Sequence, residues 1–138
     1  MKLVIINKTK FRPPVALLRQ ALVAAVKRGG TITVVFVRDQ EMRKLNRETR
    51  SKNKSTDVLS FPAGQENFIL PPGSAKELGS IVINVDILRE NFKPALVHHL
   101  VHGALHLLGK HHGTVTSHKK IMSIEDRLLL KLTGQGHP

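Results

Sequence analysis

Three histidines late in the chain have the residue type and spacing of a metal site. His102 and His106 are four residues apart, so on a helix their imidazoles lie on one face, about one turn apart. Gly109 is a favourable helix end, because glycine adopts the left-handed conformation without steric cost. A chain that turns there can bring His112 back toward the first two rings. Three neutral imidazoles predict a zinc site with an open fourth position, which is the catalytic pattern.

The neighbouring histidines leave alternatives for the rest of the ligand set. His111 adjoins His112, but adjacent side chains on an extended segment point apart, and we favour His112 as the third ligand. His98 lies one turn before the first ligand and is either a core residue or a residue that supports the ligands. His99 lies off this stripe and is expected to be structural or exposed. His118 is either a surface residue or part of the site.

The helix that carries these histidines is apolar on nearly every side, so we expect it to be buried. It is predicted to run from Ala95 to Leu108, with Pro94 at its start. A histidine stripe on a buried helix needs partners, because an unpaired buried polar group is costly. Metal ligation is the simplest interpretation. Core histidines that bond to the backbone or to carboxylates are the alternative.

The residue after the first histidine argues against peptidase chemistry. In the metalloprotease helix motif a glutamate follows the first histidine and acts as the general base. Here that position is Gly103. The acidic residues that remain as candidates for a base are few: Asp57, Asp86, Glu125 and Asp126.

Composition limits the class of protein. The 138 residues predict one domain with a core, and the hydrophobic fraction of 41% is typical of a soluble globular protein. We find no apolar run of membrane-spanning length and no signal peptide, so the predicted location is cytoplasmic, with no membrane partner. Cysteine is absent, which excludes disulfides, a thiolate nucleophile and a cysteine-type zinc ribbon.

The charge predicts a polyanionic partner. Lys and Arg number 22 against 10 Asp and Glu, a formal net charge of +12. Nucleic acid and an anionic membrane both fit that balance, and a merely soluble basic surface is the plainer alternative. With five Phe and no Trp or Tyr, base stacking on aromatic side chains is not the expected mode of binding. Arg and Lys contacts to phosphate are expected instead, with affinity that depends on salt.

The element pattern predicts a small mixed sheet covered by helices. Four segments have the residue content of strands: 1–7, 31–37, 56–62 and 78–85. Helices are predicted over 15–27, from Asp39 as N-cap through Met42 and Leu45, over 86–92, over 95–108, and from Thr114 or Thr116 to about Leu132.

Two stretches are predicted to be loops, and the chain end is predicted to be a tail. The basic run 47–54 and the Gly- and Pro-rich run 63–76 have loop composition. Residues 1–133 are therefore expected to form the single domain, and 134–138 a flexible tail.

Three segments together resemble a known family. His-Gly-Ala-Leu-His-Leu-Leu-Gly at 102–109, with His112, resembles the signature of the YbeY family of metal-dependent endoribonucleases. Leu45-Asn46, then Arg50, then Thr-Asp-Val-Leu-Ser-Phe-Pro at 56–62, are similar to that family's central block. Leu-Gly-Ser-Ile-Val-Ile at 78–83 resembles its next strand. The order and spacing fit over nearly the whole chain.

The resemblance implies a fold, a site and a function. It implies an α+β domain with a four-stranded sheet and a cleft beside the histidine helix. It implies one zinc ion held by His102, His106 and His112, and a role for Arg50 in gripping RNA phosphate. The implied activity is single-strand-specific RNA cleavage in 16S ribosomal RNA 3′-end maturation and in ribosome quality control. Small-subunit ribosomal proteins and a ribosome-assembly GTPase are the implied partners.

The residues leave other functions open. One is a ribosome-assembly RNA-binding module whose zinc is structural and whose catalysis is weak or absent. Another is a metallohydrolase for a different substrate, with the peptide version disfavoured by Gly103.

The chain departs from the family pattern at the edge of the proposed site. Lys110 and His111 stand where the family usually has Tyr-Asp. Ser80 stands where Asp is usual, and His118 where an acidic residue is common. We expect these changes to remove negative charge near the metal, while the three proposed ligands and Arg50 are retained.

Overall fold

The chain forms an α+β arrangement over the residues that its structure, a computed structural model, describes: 1–26, 29–65, 78–90, 92–109, 123, 126–127 and 130. The strands there are β1 (Lys2–Asn7), β2 (Thr31–Val37), β3 (Val58–Pro62) and β4 (Gly79–Asn84). The helices are α1 (Val15–Ala25), α2 (Asp39–Arg50) and α3 (Lys93–Leu107). A single 3-10 turn, Val85–Ile87, follows β4.

The strands form one four-stranded mixed sheet in the order β1-β2-β4-β3. β1, β2 and β4 are parallel, with Val34 of β2 opposite Ile81 of β4. β3 runs antiparallel to β4 and forms the edge of the sheet, with Phe61 opposite Ser80. β2 has the sequence TITVVFV, and its β-branched residues suit a central strand with both faces covered. The predicted mixed sheet is confirmed.

Side chains that alternate along the strands divide the core into two layers. On one face, Ile32, Val34 and Ile81 pack with α1 and α3. On the other face, Val35 and Val82 pack beneath α2 together with Met42, Leu45, Leu59 and Phe61. The sheet therefore separates α2 from α3, and β3 is the strand at the edge between them.

The predicted loop over 47–54 is wrong for its first half. Residues 47–50 are the last turn of α2, which ends at Ser51 with φ 58°, in the left-handed conformation. The helix continues because Leu45 and Asn46 are buried on its inner side while its basic residues stay exposed. Charged residues on the exposed side of a half-buried helix have the same composition as a loop, so composition alone could not distinguish the two.

Two of the predicted helices also differ from the structure. Asp39 is the first residue of α2 rather than its N-cap, and Arg38 precedes it in extended conformation. The helix predicted over 86–92 is wrong, because Leu88 returns to extended backbone after the 3-10 turn. α3 then begins at Lys93, with Pro94 in its first turn as predicted.

Several predictions concern residues outside the described part of the chain. The Thr114 or Thr116 cap, the tail at 134–138 and most of the loop at 63–76 belong there. Of the predicted last helix, residues 123, 126, 127 and 130 are described, and they are helical. None of the described helices has both the length and the hydropathy to cross a bilayer.

A polar network joins the start of α2 to β4 and to the loop before β3. Asn84, fully buried, donates through Nδ2 to Asp39 Oδ1 (2.9 Å) and to the carbonyl oxygen of Thr56 (3.3 Å). The Ser55 hydroxyl donates to the same Asp39 oxygen. Asp86 accepts from the Asp39 backbone N–H (2.7 Å) and from Arg38 Nε (2.8 Å). This network fixes the segment that leads into β3.

The same hydrogen bonds lower the pKa of both carboxyls from the usual value of 3.8. For Asp39 the largest cause is the Ser55 hydroxyl, followed by the Asn84 amide. For Asp86 it is the Asp39 backbone N–H, followed by Arg38. A lowered pKa in the folded state means that the unfolded chain takes up protons first as the pH falls. The stabilisation is therefore complete above the usual pKa and is lost as acid protonates the folded carboxyls.

Asp86→Asn is accordingly expected to flatten the acid limb of the stability profile. Between about pH 5 and pH 2 the thermal midpoint of the variant should fall less than that of the wild type. Circular dichroism melts across that range measure the difference. Glu90→Gln, at an exposed carboxylate, is the matched control and should follow the wild type. Parallel curves for Asp86→Asn and the wild type would contradict the assignment.

Candidate active site

The predicted histidine stripe is present on α3. The ring centroids of His102 and His106 are 4.4 Å apart, with their planes 38° apart. His98 continues the stripe, 5.9 Å from His102. His106 is exposed and His102 is half-buried, so the pair lies at the solvent margin of the helix.

The opposite side of α3 holds the helix in place. Its apolar residues are buried against α1 and the sheet: Leu96, Val97, Leu100, Val101, Ala104 and Leu105. We expected α3 to be buried on nearly every side. Its apolar side is buried, but the expectation is wrong at His106, which is exposed. Gly109 has φ +80° and donates its N–H to the His106 carbonyl oxygen (3.0 Å), so the helix ends there as predicted.

Two donors of the predicted zinc site are thus together. Imidazole nitrogens are a donor type that zinc prefers, so the chemistry of His102 and His106 fits that metal. His112, the third predicted ligand, and its alternative His111 lie outside the described residues, as do Lys110 and His118. Within the described part of the chain, no cluster of three or more His, Asp or Glu residues is arranged to hold a metal ion.

Gly103 lies against the sheet between the two histidines. A Cβ atom there would be 2.9 Å from Ile81 Cγ2 and 3.1 Å from Ser60 Oγ, which is too close for any side chain without displacement. Ser60 Oγ also donates to the Gly103 carbonyl oxygen (3.2 Å). The position that argued against peptidase chemistry is therefore a packing contact between α3 and strands β3 and β4.

Arg50 is hydrogen-bonded to Ser60, the same residue of β3 that contacts Gly103. Its Nη2 donates to the Ser60 carbonyl oxygen (2.9 Å), and its Cζ lies 5.1 Å from the centre of the Phe61 ring. Ser60 thus contacts Arg50 through its backbone and Gly103 through its hydroxyl. The predicted site arginine and the histidine helix are brought to the two sides of a single edge strand.

The carboxylates that the sequence offered as candidates for a general base lie in different parts of the fold. Asp57 Oδ2 lies 4.0 Å from His99 Nε2, which places this carboxylate next to α3 and places His99 off the stripe, as predicted. Asp86 is a poor candidate because Arg38 and the Asp39 backbone occupy its two oxygens and lower its pKa. Asp126 is half-buried and helical, and Glu125 lies outside the described residues.

Ser80 does not lie beside the histidines. It alternates with Ile81, which packs toward α3, and it shares its face with Val82, which packs toward α2. Its side chain is fully buried there. The expectation that this departure removes negative charge near the metal is wrong, because the sheet separates Ser80 from α3.

Ser60 and Asn84 are the residues of this region that the sequence did not single out. Each is a polar residue at the centre or end of a strand, and small polar residues in strands have no distinctive pattern. Ser60 contacts two helices that are distant from each other in sequence, so no local pattern could indicate its role. An asparagine at the end of an apolar strand, as at Asn84, is the signal that was available in the sequence.

The described elements define a class of protein: an α+β fold in which a histidine-bearing helix and an arginine-bearing helix lie on opposite faces of a mixed sheet. The model of the family described as Endoribonuclease YbeY matches residues 10–133. The chain belongs to the YbeY family.

Individual relatives agree with the family match. The chain is 40% identical over 115 residues to an Endoribonuclease YbeY of Prochlorococcus marinus, a match that covers 76% of this chain and 56% of that protein. It is 40% identical over 122 residues to an Endoribonuclease YbeY of Halorhodospira halophila, covering 80% of this chain and 75% of that one. The chain therefore spans little more than half of the Prochlorococcus relative.

A solved structure agrees with the fold. The solution structure of a Thermotoga maritima protein is similar with a TM-score of 0.61, covering 96% of this chain and 89% of that one. The sequences are 23% identical, so the likeness concerns the fold alone.

Proposed function

We propose that this chain is a zinc-dependent endoribonuclease that cleaves single-stranded RNA. The observation that carries the proposal is the shared contact at Ser60, which joins Arg50 to the helix of His102 and His106. A cation and a pair of metal-donor side chains on the two sides of one edge strand suit a phosphodiester substrate. The names of the relatives and the net charge of +12 support the same substrate class.

His102, His106 and His112 would hold one zinc ion per chain. The proximity and partial exposure of the first two rings support this assignment. Zinc in such a donor set supplies a Lewis acid that polarises a phosphoryl oxygen and lowers the pKa of water. Removing either described donor would leave too few ligands for a stable site.

Arg50 would bind a phosphate oxygen of the substrate. A guanidinium has five N–H donors, and the hydrogen bond to Ser60 uses one of them. That bond and the Phe61 ring hold the group in one orientation, so less rotamer entropy is lost when phosphate binds. The fixed charge stabilises the negative charge that increases on phosphorus oxygens in the transition state.

Asp57 is the described carboxylate best placed to move a proton. It is largely exposed, lies next to His99 and directly precedes β3, three residues before Ser60, whose carbonyl oxygen binds Arg50. We propose that it accepts a proton during cleavage. Its position directly before the edge strand would bring it to the same RNA segment as Arg50.

The proposed biological role follows the family. We propose that the RNA is ribosomal, with the 3′ end of 16S ribosomal RNA as the processed region and ribosome quality control as the wider setting. Small-subunit ribosomal proteins and a ribosome-assembly GTPase are the proposed partners, in the cytoplasm. The basic surface supports an RNA-rich partner.

A second candidate is an RNA-binding module of ribosome assembly with a structural zinc ion. One observation favours it: Asp57 pairs with His99, which lies off the stripe of His102 and His106. A carboxylate held away from the stripe would mean weak catalysis with intact RNA binding.

Metal removal distinguishes these functions. The purified protein should contain one zinc per chain and should cleave a single-stranded RNA but not a matched duplex. Chelation should abolish cleavage, and added zinc should restore it, with RNA binding measured by fluorescence anisotropy throughout. Binding without cleavage in the zinc-loaded protein would favour the binding module. Cleavage that survives complete metal removal would contradict the proposal.

A further inference from the structure

On the exposed side of α2 the arginines and the glutamates lie along different flanks, and Lys44 lies beside the glutamates, three residues after Glu41 and four before Glu48. Arg43, Arg47 and Arg50 follow the spacing i, i+4, i+7, which places them along one flank of the helix. Glu41 and Glu48, seven residues apart, lie along the opposite flank. We call the three arginines the arginine row; all three are exposed.

Contacts at the two flanks fix their direction over the sheet. Glu41 Oε2 accepts from Lys8 Nζ (2.9 Å), and Lys8 directly follows β1. Arg50 donates to the Ser60 carbonyl oxygen of β3. Because β1 and β3 are the opposite edges of the sheet, the glutamate flank faces the β1 edge and the arginine row faces the β3 edge.

The row forms no ion pair with a described carboxylate; Arg43 helps to lower the pKa of Asp39, but the Asp39 carboxylate is itself hydrogen-bonded to Ser55 and Asn84. The ion pairs among described residues join Lys8 to Glu41, Arg38 to Asp86 and Asp57 to His99, and none of them involves the arginine row. Like charges held at one-turn spacing on a helix repel one another. An arrangement of this kind is favourable when an anion binds between or across the guanidinium groups.

The histidines lie across the β3 edge from this row. The row rises about 10 Å along the helix from Arg43 to Arg50. It ends at Ser60, whose hydroxyl contacts Gly103 between the two histidines. Among the described elements, a path from the row to the histidine pair therefore crosses one edge strand and no helix.

We infer that the arginine row binds the phosphate backbone of a single RNA strand and leads it across the β3 edge to the histidine pair. This inference rests on the proposed function, since it gives a binding path to that site. A line of separated cations matches a linear polyanion with regularly spaced charges. Arg43 and Arg47 would be binding residues that contact phosphates away from the scissile bond.

An anionic membrane is the less suitable partner for this surface. Membrane-binding helices insert exposed apolar side chains beside their basic residues. The exposed large apolar residues among those described are Val15, Val23 and Leu130, and none of them is on α2. The arginine row is flanked by polar residues alone on the exposed side of its helix.

The double variant Arg43→Gln/Arg47→Gln tests the inference. Its affinity for a single-stranded RNA of about twenty nucleotides should fall by about tenfold or more at low salt. The slope of log affinity against log salt should become shallower by about 1.4, because each lost phosphate contact on a single strand contributes about 0.7. Arg12→Gln/Arg19→Gln, an equal charge change at exposed residues in and before α1, is the matched control and should keep the wild-type slope.

Cleavage kinetics separate this inference from the proposed function. In Arg43→Gln/Arg47→Gln the KM for the long RNA should rise while kcat stays within about twofold, and a dinucleotide substrate should be cleaved as by the wild type. Arg43→Lys/Arg47→Lys should recover most of the affinity. Wild-type protein that binds RNA through the row without cleaving it would support the inference and contradict the proposed function.

Three outcomes would overturn the inference. Equal losses in the two Gln double variants would mean that overall charge, not the row, sets the affinity. If Arg43→Gln/Arg47→Gln kept the wild-type KM and salt slope while the protein cleaved RNA in a zinc-dependent way, the proposed function would stand and the role of the row would not. Loss of binding to phosphatidylserine vesicles, with RNA affinity retained, would assign the row to a membrane.

Discussion

His106→Ala is expected to lose bound zinc and RNA cleavage together, with cleavage reduced by at least about 1,000-fold. Metal stabilisation of transition-state charge is worth several kcal/mol, and each 1.4 kcal/mol corresponds to tenfold in rate. His106 is exposed, so between the metal-free forms of the two proteins its truncation should change the free energy of unfolding by less than about 0.5 kcal/mol. Metal analysis by mass spectrometry and RNA cleavage on one preparation, with thermal melts of both proteins after chelation, measure all three quantities.

His99→Ala is the matched control for this variant. His99 is on the same helix but lies off the stripe, next to Asp57. It should keep one zinc per chain, whatever it loses in rate. A His106→Ala protein that retains stoichiometric zinc, or that cleaves RNA without zinc, would exclude His106 as a ligand needed for catalysis.

Arg50→Gln is expected to lower kcat by about 100-fold with a smaller effect on KM. Removing one positioned donor for transition-state charge costs about 2.7–4 kcal/mol in other enzymes. The lower end applies here, because Arg50 is exposed and water replaces part of the lost interaction. Single-turnover cleavage of a short single-stranded RNA measures this effect without product release.

Two companion variants decide how Arg50 acts. Arg50→Lys keeps the charge but cannot bond Ser60 and a phosphate with one planar group, so it should recover only part of the rate. Arg19→Gln removes an exposed arginine from α1 and should keep the wild-type kcat. If Arg50→Gln raised KM and left kcat unchanged, Arg50 would be reassigned to substrate binding.

Much of the fold followed from local patterns because those patterns act over few residues. The β-branched run 31–37 is β2 to the residue, and the i, i+4 spacing of His102 and His106 gave the observed pair. Gly109 ends α3 through the conformation that glycine favours. Each of these signals depends on the backbone preference of a few residues or on the spacing of side chains over one helical turn.

The errors came from residues whose environment is set by distant segments. Residues 47–50 have loop composition, yet burial of Leu45 and Asn46 on the inner side keeps them helical. Ser80 was expected near the proposed metal site because the family usually has Asp at its position, but strand alternation directs it to the other face. The contact that joins Arg50 to α3 through Ser60 required the sheet order, which no local pattern contains.

The close packing at Gly103 limits how this histidine helix can change its chemistry during evolution. A glutamate there would match the metalloprotease helix motif in sequence, but its side chain would enter the space of Ile81 and Ser60. It would therefore separate α3 from the sheet before it placed a carboxylate beside a metal. A glutamate at this position requires the helix to rotate or move away from β3, so tertiary packing, and not one substitution, separates this helix from the metalloprotease motif.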